Sequence, residues 1–121
     1  MKIRIKGNSV RLRLTKTDVA TLCETGRFEE KTPFPNGLFT YALQVQSSTE
    51  NMVATINDNT IEIGISTELI KNWSTNDKVG FQHMVSLENT AELWLLVEKD
   101  FVCMDETVED QTDNYPNPKM P

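Results

Sequence analysis

One histidine and two cysteines in a chain of 121 residues leave little from which to build a metal centre or a disulfide framework. Cys23 and Cys103 share no zinc-ribbon or disulfide spacing, so reduced thiols are expected. No stretch approaches the roughly 20 apolar residues that cross a bilayer as a helix. The amino-terminal residues alternate charge at Lys2, Arg4 and Lys6 where a secretory leader would be apolar. A soluble cytoplasmic protein is the expectation, without a membrane partner. Positive charge is also short: 12 Lys and Arg against 18 Asp and Glu give a net charge of -6, which argues against general affinity for nucleic acid.

What the chain does contain is a hairpin used twice. Ile3 to Leu14 alternates apolar and basic residues around Gly7-Asn8, and Ala54 to Ile65 alternates in the same way around Asp58-Asn59. Gly, Asn and Asp tolerate the positive φ that two-residue turns demand. Counting outward from Gly7-Asn8 pairs Ile5 with Val10 and Ile3 with Leu12 on a core side. Lys2, Arg4, Lys6, Arg11 and Arg13 fall together on the opposite side.

The segments that follow keep the same order in both halves. Thr15 to Thr25 reads as a helix with Thr15 as N-cap, Asp18 three residues on, and Gly26 as a left-handed stop. Its apolar stripe carries Val19, Leu22 and Cys23, which makes Cys23 an expected core residue. A polar strand from Arg27 to Thr32, a loop at Pro33 to Gly37 and a strand from Leu38 to Gln46 complete the first half. After a Ser- and Thr-rich seam, Ser66 caps a short helix carrying Leu69, Ile70 and Trp73. Strands at Val79 to Leu87 and Ala91 to Glu98 follow, joined by Glu88-Asn89-Thr90.

At an offset of 51 residues, Asn8, Val10, Thr15, Val19 and Leu22 meet Asn59, Ile61, Ser66, Ile70 and Trp73. The fold class is therefore α+β: a tandem ββαββ duplication, with about eight mostly antiparallel strands and two short helices. Two packed sheets and a partly closed barrel both fit. One domain is expected over 1–104, with pseudo-repeats at 1–47 and 51–99. An acidic tail at 105–121, containing Pro, is expected to lie on the body.

No catalytic signature is present. His83 points inward between Phe81 and Val85 and reads as a satisfied core histidine, without a nucleophile or orienting acid at motif spacing. Cys103 near Asp100, Asp105 and Glu106 mixes soft and hard ligands and fits no EF-hand loop. No cofactor or metal is expected. Triphosphate tunnel enzymes share a small barrel rich in Lys and Arg, but Lys2-Ile3-Arg4-Ile5-Lys6 lacks their alternating acids.

Two surfaces remain. Lys2, Arg4, Lys6, Arg11 and Arg13 form a basic face suited to a small anion, because guanidinium forks match phosphate and carboxylate. The acidic tail, or Glu29, Glu30 and Glu62, could instead pair with that face. Trp94, Leu96 and Met84 project from the opposite side to Leu93 and Leu95, where an apolar patch would mark a partner or a homodimer seam. Trp73 reads as the core anchor of its helix.

The opening Met1-Lys2-Ile3-Arg4-Ile5-Lys6-Gly7-Asn8-Ser9-Val10-Arg11-Leu12-Arg13-Leu14-Thr15, the run Glu98-Lys99-Asp100-Phe101-Val102-Cys103 and the closing Glu109-Asp110-Gln111-Thr112-Asp113-Asn114-Tyr115-Pro116-Asn117-Pro118 resemble a family of small uncharacterised bacterial proteins. The resemblance implies a bacterial single-domain protein and assigns no residue a role. The functional expectation is a binding or structural module that is not an enzyme. A small enzyme or sensor for an anionic or phosphorylated ligand at the arginine face is the alternative.

Overall fold

In the computed structural model, which describes residues 1–101 and 112–116, eight strands form two four-stranded sheets. The elements run β1 (Lys2–Lys6), β2 (Ser9–Leu14), α1 (Lys16–Thr25), β3 (Arg27–Phe34), β4 (Gly37–Gln46), β5 (Met52–Asn57), β6 (Thr60–Ser66), α2 (Thr67–Ile70), β7 (Gly80–Ser86) and β8 (Glu92–Lys99). The sheet orders are β1-β2-β8-β7 and β3-β4-β6-β5. Neither sheet closes into a barrel.

Each sheet takes one hairpin from each half of the chain. The first joins the β1-β2 hairpin to the β7-β8 hairpin through a parallel pairing of β2 with β8. The second joins β3-β4 to β5-β6 through a parallel pairing of β4 with β6. Exchanging the first four strands for the last four converts one sheet order into the other. The halves do not sit back to back as separate units; they interleave.

The hairpin registers follow from turn chemistry. Lys6 pairs with Ser9 across Gly7-Asn8, and Asn57 pairs with Thr60 across Asp58-Asn59. Gly7, Asp58 and Asn59 have φ of 53°, 48° and 61°, in the left-handed region that these residue types tolerate. Helix α1 begins at a complete capping box, Thr15 accepting from the Asp18 amide while Asp18 accepts from the Thr15 amide, and ends at Gly26 with φ 84°. Helix α2 is a single turn capped by Ser66 and ends at Ile70, so Trp73, expected on the helix, lies just beyond it.

Three other expectations change. Strand β3 continues through Pro33 to Phe34, so the loop shrinks to Pro35-Asn36; β3 is an edge strand, where the missing proline N–H costs no ladder bond. Cys23 is exposed, not part of the helix's buried stripe, which consists of Asp18, Val19 and Leu22. Ile5 lies on the inner side of β1 by register, yet it is 55% exposed because it sits at the open end of an edge strand.

The interior between the sheets is made of Leu12, Leu14, Leu43, Ile63, Ile65, Leu95 and Val97, with Trp73 fully buried among them. Burying a large apolar side chain contributes about 1.5–3 kcal/mol, so these positions dominate stability. Among the described residues no helix is long and apolar enough to cross a membrane.

Candidate functional site

The outer face of the first sheet carries three cross-strand rows fixed by register. Lys2, Arg13, Glu98 and Gly80 form one; Arg4, Arg11, Leu96 and Gln82 the next; Lys6, Ser9, Trp94 and Met84 the third. The inner face takes Leu12, Leu95 and Val97, so strict alternation sends every charged residue of β1 and β2 outward. All five basic residues named from the sequence therefore share one surface, and Trp94, Leu96 and Met84 continue that same surface on β8 and β7.

Two of the five cations are paired. Arg11 Nε lies 2.9 Å from Glu98 Oε1, and Lys2 Nζ lies 3.2 Å from Asp100 Oδ2. Both carboxylate atoms are buried and neither receives a well-directed hydrogen bond among the described residues, so charge proximity, not a directed bond, holds each pair. Arg4, Lys6 and Arg13 have no ion-pair or side-chain hydrogen-bond partner among the described residues. Arg4, Lys6, Ser9, Arg11 and Leu96 line a recess of about 230 Å³. Trp94, beside Ser9 in the third row, is 43% exposed, whereas Leu96 and Met84 are half-buried.

The acids named as partners for this face are engaged elsewhere. Glu62 and Glu29 accept from Arg27 at 2.6 and 3.1 Å on the outer face of the second sheet, and Glu62 raises the Arg27 guanidinium above its ordinary value. Glu30 and Asp18 lie 3.0 and 2.8 Å from the Met1 ammonium, and the Tyr41 hydroxyl donates to the Met1 carbonyl.

The carboxy-terminal stretch 112–116 lies on the body, against the start of α1 and beside Phe101. Asp113 accepts from the Lys16 amide through its carbonyl and from the Thr17 amide and hydroxyl through Oδ1, at the amino-terminal end of α1. Hydrogen bonds from Thr15 and Thr17 hold its carboxyl below the usual range. Asn114 is buried, and the Tyr115 amide donates to the Asp100 carbonyl while its ring packs on Phe101. Cys103 and most of the acidic tail lie outside the described residues.

Beneath Tyr115 is a feature the sequence reading missed. Lys99 is only 4% exposed, its Nζ donates to the Asn76 carbonyl at 2.7 Å, and burial lowers its pKa. Parity could have found it, because Lys99 continues the inward series Leu93, Leu95 and Val97.

His83 faces inward opposite Leu95 but is half-buried, and it borders a recess of about 510 Å³ shared with Ser48, Thr49, Glu50 and Asn51. It has no hydrogen bond among the described residues, so it is not the fully enclosed, satisfied histidine that parity alone suggests. No group of three or more His, Cys, Asp or Glu among the described residues could hold a metal ion.

A family model described as a family of unknown function (DUF7009) matches residues 1–119. Neither the curated proteins nor the solved structures contain a match.

Proposed function

The chain belongs to this family of unknown function, and we propose that it is a binding module, not an enzyme, that takes an anionic ligand on the outer face of its first sheet. The observation that carries the reading is that Arg4, Lys6 and Arg13 lack partners among the described residues, while Lys2 and Arg11 beside them are neutralised. Like charges held side by side without counterions repel one another. An anion of phosphate or carboxylate chemistry relieves that repulsion, and arginine's planar fork binds it through two parallel hydrogen bonds. The net charge of -6 opposes indiscriminate anion capture, which favours a ligand small enough to feel mainly the local field.

Titration with inorganic pyrophosphate, followed by Trp94 fluorescence and amide chemical shifts, tests the proposal. Shifts centred on Arg4, Lys6 and Ser9, weakened at least about tenfold by Arg4→Glu, support it. Saturation unaffected by Arg4→Glu and Arg13→Glu together would overturn it. A second reading, a homodimer seam at Trp94, Leu96 and Met84, draws on the 43% exposure of Trp94; loss of self-association in Trp94→Glu would favour it.

The matching strand orders and the 51-residue offset also support descent of both halves from one ββαββ unit. A cytoplasmic setting is in keeping with Cys23, an exposed thiol outside any disulfide.

A further inference from the structure

Four strands lie at sheet edges: β1 and β7 in one sheet, β3 and β5 in the other. An edge offers a row of unpaired backbone donors and acceptors, and proteins commonly guard it with charge or proline. β1 carries Lys2, Arg4 and Lys6; β3 carries Glu29, Glu30, Lys31 and Pro33. β5 reads Met-Val-Ala-Thr-Ile-Asn and has neither charge nor proline. β7 also lacks Lys, Arg, Asp and Glu, but its apolar residues Phe81, Met84 and Val85 are buried or half-buried.

The contrast between β1 and β5 is residue by residue. At the 51-residue offset Lys2, Arg4 and Lys6 correspond to Val53, Thr55 and Asn57, and Ile5 corresponds to Ile56. The two strands occupy equivalent edges, so the difference is one of charge on a shared scaffold. On β5, Val53 is 41% and Ile56 75% exposed, and Ile56 is the most exposed large hydrophobic residue among the described residues.

We propose that β5 is a self-association edge, pairing antiparallel with β5 of a second copy around a twofold axis and joining two four-stranded sheets into one of eight. The occupant is a second copy because this short, uncharged, β-branched strand is at once the template and the segment best suited to lie on it. Its backbone finds an identical neutral partner, whereas β1 paired with itself would set Lys and Arg against Lys and Arg. A twofold axis normal to the sheet keeps inner faces with inner faces, so the axis runs midway between one residue and its own copy. Centring on Thr55 sets Thr55 against Thr55, Val53 against Asn57, and Ile56 beside Ala54 of the partner subunit. That register covers the exposed Ile56 and places two threonine hydroxyls in reach of each other.

A single strand pair buries less than a standard interface, so the dimer forms across roughly 10 μM to 1 mM. Sedimentation velocity over that range reads it directly. The expected result is a mass doubling in the wild type that strengthens with added salt, because each copy carries -6. Val53→Lys and Thr55→Arg, which install on β5 the guard that β1 has, are expected to abolish the doubling while leaving the thermal midpoint nearly unchanged. In a Cys23→Ser, Cys103→Ser background, Thr55→Cys is expected to form a disulfide-linked dimer on mild oxidation, and Lys31→Cys is not. A protein monomeric at every concentration, a dimer that survives Thr55→Arg, or a dimer dissolved by Trp94→Glu would each overturn the proposal. Because this edge belongs to the other sheet, its failure leaves the anion site of Arg4, Lys6 and Arg13 untouched, and the reverse holds too.

Discussion

The ammonium of Lys99 lies 4.9 Å from the centre of the Tyr115 ring and 5.6 Å from that of Trp73, so a buried cation sits between two aromatic faces. One ring comes from the core and the other from the carboxy-terminal stretch. The Lys99 charge therefore links that stretch to the packed interior.

Tyr115→Ala removes one of those faces and the contact with Phe101, and is expected to destabilise the protein by about 1–3 kcal/mol. Tyr115→Phe keeps the ring and is expected to be nearly neutral, because the hydroxyl makes no hydrogen bond among the described residues. Urea denaturation of both variants checks the difference; an equal loss in the two would show that the ring is not what matters.

The attachment of residues 112–116 should depend on acid. Hydrogen bonds from Thr15 and Thr17 favour the ionised form of Asp113 and lower its pKa in the folded protein. Such a group contributes stability above the ordinary carboxylate range and loses it as pH falls through the lowered value. Protection of the Tyr115 amide from hydrogen exchange is expected to fall in that acidic window for the wild type. In Asp113→Asn the same protection is expected to be weak at neutral pH and flat across the window.

Two glycines of the sheets should differ in their tolerance of a methyl group. A Cβ on Gly80 would collide with the Val97 carbonyl oxygen, a backbone atom held by the β7-β8 ladder, and Gly80→Ala is expected to cost about 1–3 kcal/mol. At Gly64 the nearest atoms belong to the Gln46 side chain, which can swing aside at the expense of the bond it accepts from Thr49. Gly64→Ala should cost less, and comparing the two thermal midpoints decides the order.

The entry to α1 concentrates several contacts on one carboxylate. Asp18 accepts from the Thr15 amide at 3.0 Å and lies 2.8 Å from the Met1 ammonium, while itself buried. Thr15→Ala is expected to cost about 0.5–2 kcal/mol through the lost cap. Asp18→Ala should cost more, about 1–3 kcal/mol, because a buried donor also loses its acceptor, although Glu30 still faces the ammonium. Chemical denaturation of the two variants measures both losses.

Much of this architecture was legible before any coordinates. Period-two alternation around Gly7-Asn8 and Asp58-Asn59 gave the hairpins and the outward row of basic residues, because a strand has only two faces and a turn fixes their register. The box at Thr15 and Asp18 gave the first helix. What could not be read was which hairpin pairs with which: the parallel contacts of β2 with β8 and of β4 with β6 join segments distant in the chain, and no local pattern encodes them. The same gap explains Cys23 and Ile5. Helical spacing and strand parity say which way a side chain points, not whether another element arrives to cover it.

For the candidate face, position was legible and pairing was not. That Arg11 meets Glu98 while Arg13 has no partner among the described residues depends on side-chain reach across neighbouring strands of the two halves. Lys99 was overlooked because a lysine among apolar residues near a strand's end reads as the point where the pattern stops, whereas here it is enclosed by Trp73 and Tyr115.

Interleaved hairpins make each half dependent on the other for backbone partners as well as for its apolar cover. A polypeptide severed within the 47–51 connection would yield two pieces, neither holding a complete sheet, and order would return only on mixing them. Folding of the intact chain must then await synthesis of β8, whose pairing with β2 completes the first sheet, so a ribosome-bound chain stopped at residue 60 would carry an exposed and unsatisfied first half.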